Sequence, residues 1–267
     1  MTNITRAERG RRAPPDRPFA LSTALLVSLG LASAPSLAAQ TKTEPEAMTQ
    51  TQPVSEALST KQQVIPLIAV SMATSDMPRL NTALNQGLDA GLTISEAREI
   101  LVHLYAYTGF PRSLNALGEL LKVAEARKQR GIQDDPGREP SRPAPSGETL
   151  AAVGLANQTR ISGGPVQGPV MDFAPIINQF LQAHLFGDLF ERDNLDWQSR
   201  ELATVGALAA TPGVEAQLRS HMSASMRVGL SAAQLRQLVQ ILERVDEPAA
   251  ERASAALTQA QDAAKER

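Results

Sequence analysis

The sequence predicts an all-α fold in which one helical module is used twice. A pattern of one glycine, one hydroxyl residue, one arginine and several apolar residues recurs later in the chain at a constant spacing, as in duplicated supersecondary units. Only 3% of the residues are aromatic, a composition that favours closely packed helices over a sheet. The recurring positions are Gly91, Leu92, Thr93, Arg98, Ile100, Leu101 and Leu104 in the first copy and Gly229, Leu230, Ser231, Arg236, Leu238, Val239 and Leu242 in the second.

Residues 1–39 are predicted to form a secretory signal peptide. Several arginines precede an apolar stretch from Phe19 to Ala32, and a run of small residues follows, which is typical of such signals. The stretch is shorter than the roughly 20 residues that a spanning helix needs. We therefore expect a periplasmic or secreted protein with no stable membrane span after cleavage, and an uncleaved interfacial anchor is the alternative. Residues 40–56 are a polar N-terminal segment.

Composition excludes several classes of function. The formal net charge is −2 and no basic stripe is present, so we expect no nucleic-acid partner. The chain contains no cysteine, which excludes disulfides, thiolate nucleophiles and thiolate metal sites. The three histidines show no metal-ligand spacing, and the glycines of 159–165 lack the flanking residues of a phosphate loop. We expect neither a metal nor a cofactor.

The first module is predicted at 57–128. Apolar residues at helical spacing run from near Leu58 to Met72, and a second helix from about Met77 to Ala90 ends at Gly91, a left-handed C-terminal cap. A third helix continues to a Gly-Phe-Pro interruption, and a fourth covers roughly Ser113 to Lys128.

The third helix of each module begins with the same local signal. Thr93 is followed by Glu96, and Ser231 by Gln234, both in the spacing of a capping box.

A linker is predicted at 129–173, rich in Pro, Gly and charged residues and partly disordered, with a short helix over Thr149 to Gln158. The second module is predicted at 174–267. It opens with an apolar helix, and Asp196 caps its long helix.

Both modules contain short motifs in a fixed order. They are Phe186-Gly187-Asp188, Arg192, Leu195-Asp196, Arg200-Glu201-Leu202, Leu218, His221 and Gly229-Leu230-Ser231 in the second module, and Gly109-Phe110-Pro111 and Ser113-Leu114-Asn115-Ala116 in the first. With these motifs the second module resembles the carboxymuconolactone decarboxylase and alkylhydroperoxidase D superfamily, and the first resembles the end of the same module. The matches extend over about 57–127 and 175–267.

This resemblance implies two modules packed as a pseudo-dimer around shared cavities, and further assembly into a homo-oligomer. It implies decarboxylase or thiol peroxidase chemistry, since both occur in the family, as do proteins of unknown activity. The peroxidase cysteine positions hold Val214 and Gln217 here, so thiol peroxidase activity is not expected.

Glu201 and His221 are the predicted catalytic residues. They lie on successive helices that pack together if Thr211-Pro212-Gly213 reverses the chain, and a carboxylate–imidazole pair transfers protons near neutral pH. The alternative is that neither residue has a chemical role: Glu201 is then a solvated charge near the start of its helix, and His221 is a packed or surface histidine. The first module has Val64 and Ala83 at the equivalent places, so it is expected to be a partner and not a second centre.

Substrate-binding residues are predicted on both modules. Arg200, Arg219 or Arg227 is suited to hold a substrate carboxylate, because guanidinium binds carboxylate in a planar fork. His103 and Tyr107 share one helix face at a spacing of four, and Glu99 is a further candidate for the same face. The hydroxyl and the imidazole are expected to line a cavity.

The sequence thus favours a cofactor-independent lyase, or related proton-transfer chemistry, on a small lactone or carboxylated molecule. The alternative is a non-catalytic protein of the same fold that binds a small molecule or serves in assembly.

Overall fold

A computed structural model describes residues 56–266 of the chain, and the described part is all-α, as the sequence predicts. The expected signal peptide and nearly all of the polar segment lie outside the described residues. None of the described helices is long and apolar enough to cross a membrane. The helices are α1 (Thr60–Ala73), α2 (Met77–Asp89), α3 (Ile94–His103), α4 (Tyr105–Thr108), α5 (Phe110–Gln129), α6 (Gly147–Ser162), α7 (Pro169–Phe173), α8 (Pro175–Phe180), a π-helix (Leu181–Leu189), α9 (Trp197–Ala209), α10 (Glu215–Arg227), α11 (Ala232–Glu243) and α12 (Glu247–Lys265).

Helices α1 and α3 begin with side-chain caps, as do α9 and α11, whereas Asp76 caps α2 and Val214 leaves α10 without a side-chain cap. Ser59 and Asp196 cap the first helix of each series. Thr93 and Ser231 each complete the predicted capping box at the start of the third. Gly91 has a φ of 93°, the left-handed conformation predicted for it, which a residue with a Cβ adopts only at a cost. The duplication itself stays a prediction, which these parallel features support.

The core centres on α1 and α9, which pack against each other. Both helices are buried on nearly all sides, with Ile65, Ile68 and Leu202 fully buried. Gly206 permits their close approach, since a Cβ at this position would lie 3.0 Å from Ala69 Cβ. The remaining helices surround this pair, so α9 brings its polar side chains into the interior.

The predicted linker contains more structure than its composition suggests. Residues 147–162 form α6, longer than the short helix expected there, and α6 packs along the π-helix. Gly154 and Gly187 allow the two helices to approach closely, because a Cβ at Gly154 would lie 1.9 Å from the backbone oxygen of Gln182. This segment is therefore part of the folded unit and not only a connection between halves.

Replacing Gly154 with alanine tests this contact. We expect Gly154→Ala to destabilise the protein by about 2 kcal/mol, because the new methyl group meets rigid backbone. Gly118→Ala is the matched control, since Gly118 lies within α5 with no atom near its would-be Cβ. It should stabilise the protein by about 0.5 kcal/mol. Urea unfolding followed by circular dichroism measures both changes, and equal effects would contradict the proposed close packing.

Candidate active site

A concave site lies between α4, α6, the π-helix and α10, and its volume is about 460 Å³. This size suits a small organic ligand. Leu181, Leu185 and Phe186 of the π-helix form an apolar wall. Gln217 and Ser220 of α10 line the opposite side together with His221.

Glu201 and His221 meet at the inner end of this cavity. The chain reverses after α9 at Gly213, which has a φ of 88°, and α10 then packs back on α9. Nδ1 of His221 donates to Oε2 of Glu201 at 2.9 Å. Glu201 is fully buried, whereas the His221 side chain is 16% exposed and lines the cavity. The pair therefore leaves Nε2 of His221 as the ring nitrogen that can serve a molecule in the cavity.

Tyr107 reaches the same place from the first half of the chain. Its ring lies edge-on to the His221 ring, with the centroids 5.3 Å apart, and it lines the cavity as predicted. Burial, and then the charge of Glu201, raises the pKa of Tyr107. Its phenol group therefore stays protonated and can only act as a neutral hydrogen-bonding group.

His103 lies behind Tyr107 and does not line the cavity, contrary to the expectation that it contacts substrate. It is fully buried, and its Nε2 lies 2.9 Å from Oγ1 of Thr204 on α9. Burial, and then the charges of Arg200 and His221, holds the pKa of His103 well below 6.5. The imidazole is thus neutral and packs the interior between the two halves.

Arg200 is also placed away from the cavity. Its side chain is completely buried and donates from Nη2 to Oε1 of Glu99 at 3.0 Å and to the backbone oxygen of Arg192 at 2.6 Å. Arg192 also binds Glu99, with Nε 2.9 Å from Oε1. Burial alone would raise the pKa of Glu99, but the two arginines lower it. Arg200 therefore neutralises a carboxylate of the protein itself, which the sequence could not reveal because Glu99 is about a hundred residues away.

Arg219 does not join the site, whereas Arg227 does. Arg219 is exposed on α10 and lies two positions before His221, which at 3.6 residues per turn places it on nearly the opposite side of the helix. Arg227 lines the cavity and donates to the backbone oxygen of Ile161 at 3.1 Å. The spacing of residues along α10 therefore allows the sequence alone to favour Arg227 over Arg219 as a cavity residue.

The first half has no equivalent of the Glu201–His221 pair. Val64 and Ala83 occupy the corresponding positions in α1 and α2, and both belong to the apolar core. The Glu201–His221 pair of α9 and α10 therefore has no counterpart in α1 and α2.

Residues of α6 and the loop after it contribute to the cavity although the sequence assigns them to a linker. Gln158, Ile161, Ser162 and Val166 line it. In the sequence, these residues were indicated only by the helical pattern over Thr149 to Gln158.

Replacing Glu99 tests the buried ion network. We expect Glu99→Gln to destabilise the protein by about 3–5 kcal/mol, because it leaves the buried Arg200 charge unbalanced. Glu139→Gln is the matched control, since Glu139 binds Arg98 in an exposed pair. It should leave the urea midpoint nearly unchanged. A Glu99→Gln variant as stable as the control would contradict a structural role for the network.

Acid should destabilise the protein through His103. The unfolded chain binds a proton at this residue near pH 6.5, whereas the folded protein does not. The stability that comes from keeping His103 neutral is thus fully present above that pH. As the pH falls below it, the free energy of unfolding decreases by up to about 1.4 kcal/mol per pH unit. Urea unfolding at about pH 7.5 and about pH 5.5 should show a smaller loss for His103→Gln than for wild type. The exposed His184→Gln variant should match wild type, and an unchanged loss in His103→Gln would refute the assignment.

The comparisons with known proteins identify one region of the chain. Residues 175–260 match the model of the carboxymuconolactone decarboxylase family. This range contains the long helix with Glu201, all of α10 with His221, and most of α12. No curated protein sequence matches the chain. The match leaves the first half outside the family model, so its kinship with the second half rests on the repeat in the sequence.

Proposed function

From the match of residues 175–260 to the carboxymuconolactone decarboxylase family model, we propose that the protein is a cofactor-independent lyase. Its substrate is a small lactone or carboxylated molecule that binds in the cavity between α4, α6, the π-helix and α10. The observation that carries the proposal is the Glu201–His221 pair, in which a buried carboxylate orients an imidazole at the cavity wall. Such a pair is suited to general acid–base chemistry.

In the proposed decarboxylation, the bond between the carboxylate carbon and its neighbour breaks and carbon dioxide leaves. The electron pair remains on the neighbouring carbon. His221 in its imidazolium form donates the proton on Nε2 to that carbon, and water then reprotonates the ring. Glu201 accepts from Nδ1 throughout and stabilises the charged imidazolium. The same pair would support other proton transfers beside a carbonyl group.

The surroundings of the pair favour an anionic substrate with an apolar body. Arg227 adds positive charge to the cavity wall, while the π-helix presents leucine and phenylalanine side chains. A positive charge in a low-dielectric cleft attracts anions and stabilises negative charge that develops during reaction. Tyr107, kept neutral by its surroundings, completes the wall beside His221 and is the substrate-contacting residue that we assign to the first half.

The second candidate is a binding protein that has lost the chemistry. It is favoured by the engagement of Arg200 with Glu99, since this arginine is not available to hold a substrate carboxylate. A thiol peroxidase is disfavoured, because the chain has no cysteine and valine or glutamine cannot transfer electrons. We further propose export to the periplasm or medium, based on the arginine-rich and apolar start of the sequence, and self-association, which is argued below.

Turnover of γ-carboxymuconolactone and of a panel of lactone and β-keto acids tests the proposal. We expect His221→Gln to lower kcat about 100-fold or more, because the proton donor is lost, and Glu201→Gln to lower it at least about tenfold. Product formation and carbon dioxide release are followed in the same reactions.

His184→Gln is the matched control, because His184 also lies against a carboxylate, with Nδ1 2.8 Å from Asp188 Oδ2, but on the surface of the π-helix. Its kcat should equal that of wild type. Saturable binding of a compound that is recovered unchanged would favour the binding protein. Turnover that is indifferent to both site variants would reject the mechanism.

A further inference from the structure

An unusually apolar surface covers α7 and α8, outside the cavity. Five large side chains point into solvent along this short segment, and Phe173 is 91% exposed. We name these residues the arm face; they are Val170, Phe173, Ile176, Ile177 and Phe180. Isolated exposed apolar residues are common, but a contiguous set of this size marks a surface that is covered by something else.

A second apolar stripe follows α5. Phe110, Leu114 and Leu121 are all more than half exposed, and their spacing of four and seven places them on one side of the helix. We name these three residues the α5 face. The opposite side of α5 packs into the core through Ala116 and Leu120. The α5 face is therefore not needed to hold the helix in place.

The two faces meet at one edge. Tyr105 stacks on Phe110 with the ring centroids 4.4 Å apart, and its other neighbour is His184 at 5.5 Å. His184 lies on the π-helix, one turn beyond Phe180 of the arm face. The faces are thus adjacent parts of one surface, with the Phe110–Tyr105–His184 contact between them.

The charges beside the two faces are opposite. The sequence has no lysine or arginine between Arg160 and Arg192, and Asp172 and Asp188 are the charged residues nearest the arm face. On α5, by contrast, three basic residues are exposed, Arg112, Lys122 and Lys128, against one exposed carboxylate, Glu125. Of the carboxylates there, Glu119 is mostly buried and binds Asn81 and Lys122. An acid-flanked apolar face and a base-flanked one complement each other.

We propose that a second copy of the chain covers this surface in a two-fold symmetric dimer. The arm face of each copy packs on the α5 face of the other, and the two-fold axis passes near the Phe110–Tyr105–His184 contact. In such an isologous interface each complementary contact occurs twice. A membrane surface is the less suitable partner, because the arm face lacks the basic residues that attend interfacial helices.

The dimer also bears on the cavity. The π-helix continues directly from α8, and its inner side supplies Leu181 and Leu185 to the cavity wall. A partner that packs on the arm face would therefore steady this wall from outside.

Sedimentation of the full chain over a range of concentrations tests the proposal. We expect a reversible monomer–dimer equilibrium. Phe173→Glu or Leu121→Glu should each raise the dissociation constant at least about 100-fold, because each places a charge in the apolar contact between the arm face of one copy and the α5 face of the other. Ile132→Glu is the matched control, since Ile132 is also exposed but belongs to neither face, and it should leave the constant within about twofold. All these residues are at the surface, so circular dichroism should show intact folding.

Cross-linking decides how the faces pair, and the absence of cysteine from the chain removes any background. A short bis-maleimide should link a Phe173→Cys chain to a Leu121→Cys chain in a mixture, and neither chain to itself. A link between two Leu121→Cys chains would show that like faces pair and would overturn the proposal.

Three further results would also overturn it: a chain that is monomeric at every concentration, a dimer that is unaffected by either substitution, and a monomer whose binding to phosphatidylcholine vesicles is lost in Phe173→Glu. Because mass and cross-linking are measured without substrate, failure here is distinguishable from failure of the proposed lyase activity.

Discussion

The burial of Arg200 is the constraint on which the arrangement of the two halves depends. A guanidinium that is removed from water must be matched by a negative charge, since an unpaired buried charge is very costly. Glu99 of α3 supplies this charge, and Arg192 and Asn194 bind the same carboxylate. The network therefore fixes α3 of the first half against the start of α9 in the second. Because α4 follows α3 directly, the same contact sets where Tyr107 lies relative to His221.

The interior around the site is polar, and its carboxylates have partners. Glu201 is hydrogen-bonded to His221, and Glu99 is paired with the two arginines. His103 and Tyr107 stay neutral, because burial and the neighbouring charges lower the pKa of the first and raise that of the second. In this environment His221 is the titratable group that both contacts a buried carboxylate and reaches the cavity. A buried polar group can thus react with a ligand only where it reaches the cavity, as His221 does, whereas His103 does not reach it and is structural.

The features that the sequence predicted well are local ones. The capping boxes at Thr93 and Ser231 and the glycine stop at Gly91 depend on residues within one turn. The meeting of Glu201 and His221 also follows from a short connection, since one tight turn joins their helices.

What the sequence could not show depends on pairing across the fold. The partner of Arg200 lies in the other half of the chain, so a buried arginine looked like a ligand for substrate. The sequence predicted only a short helix where α6 lies, and the packing of α6 on the π-helix depends on two glycines that no local pattern connects. The exposure of the arm face on α7 and α8 is again a tertiary property.

Joining two helical series in one chain allows the halves to differ. Val64 and Ala83 make the first half apolar where the second has Glu201 and His221, so α1 can serve as a plain core helix against α9. The first half instead contributes Glu99, His103 and Tyr107, which orient and enclose the site of the second. The connecting segment adds α6 and thereby closes one side of the cavity.

A symmetric pair of separate modules would have to place each of these residues twice. In the single chain, each position can be suited to one task, at the cost that the site requires both halves and the segment between them.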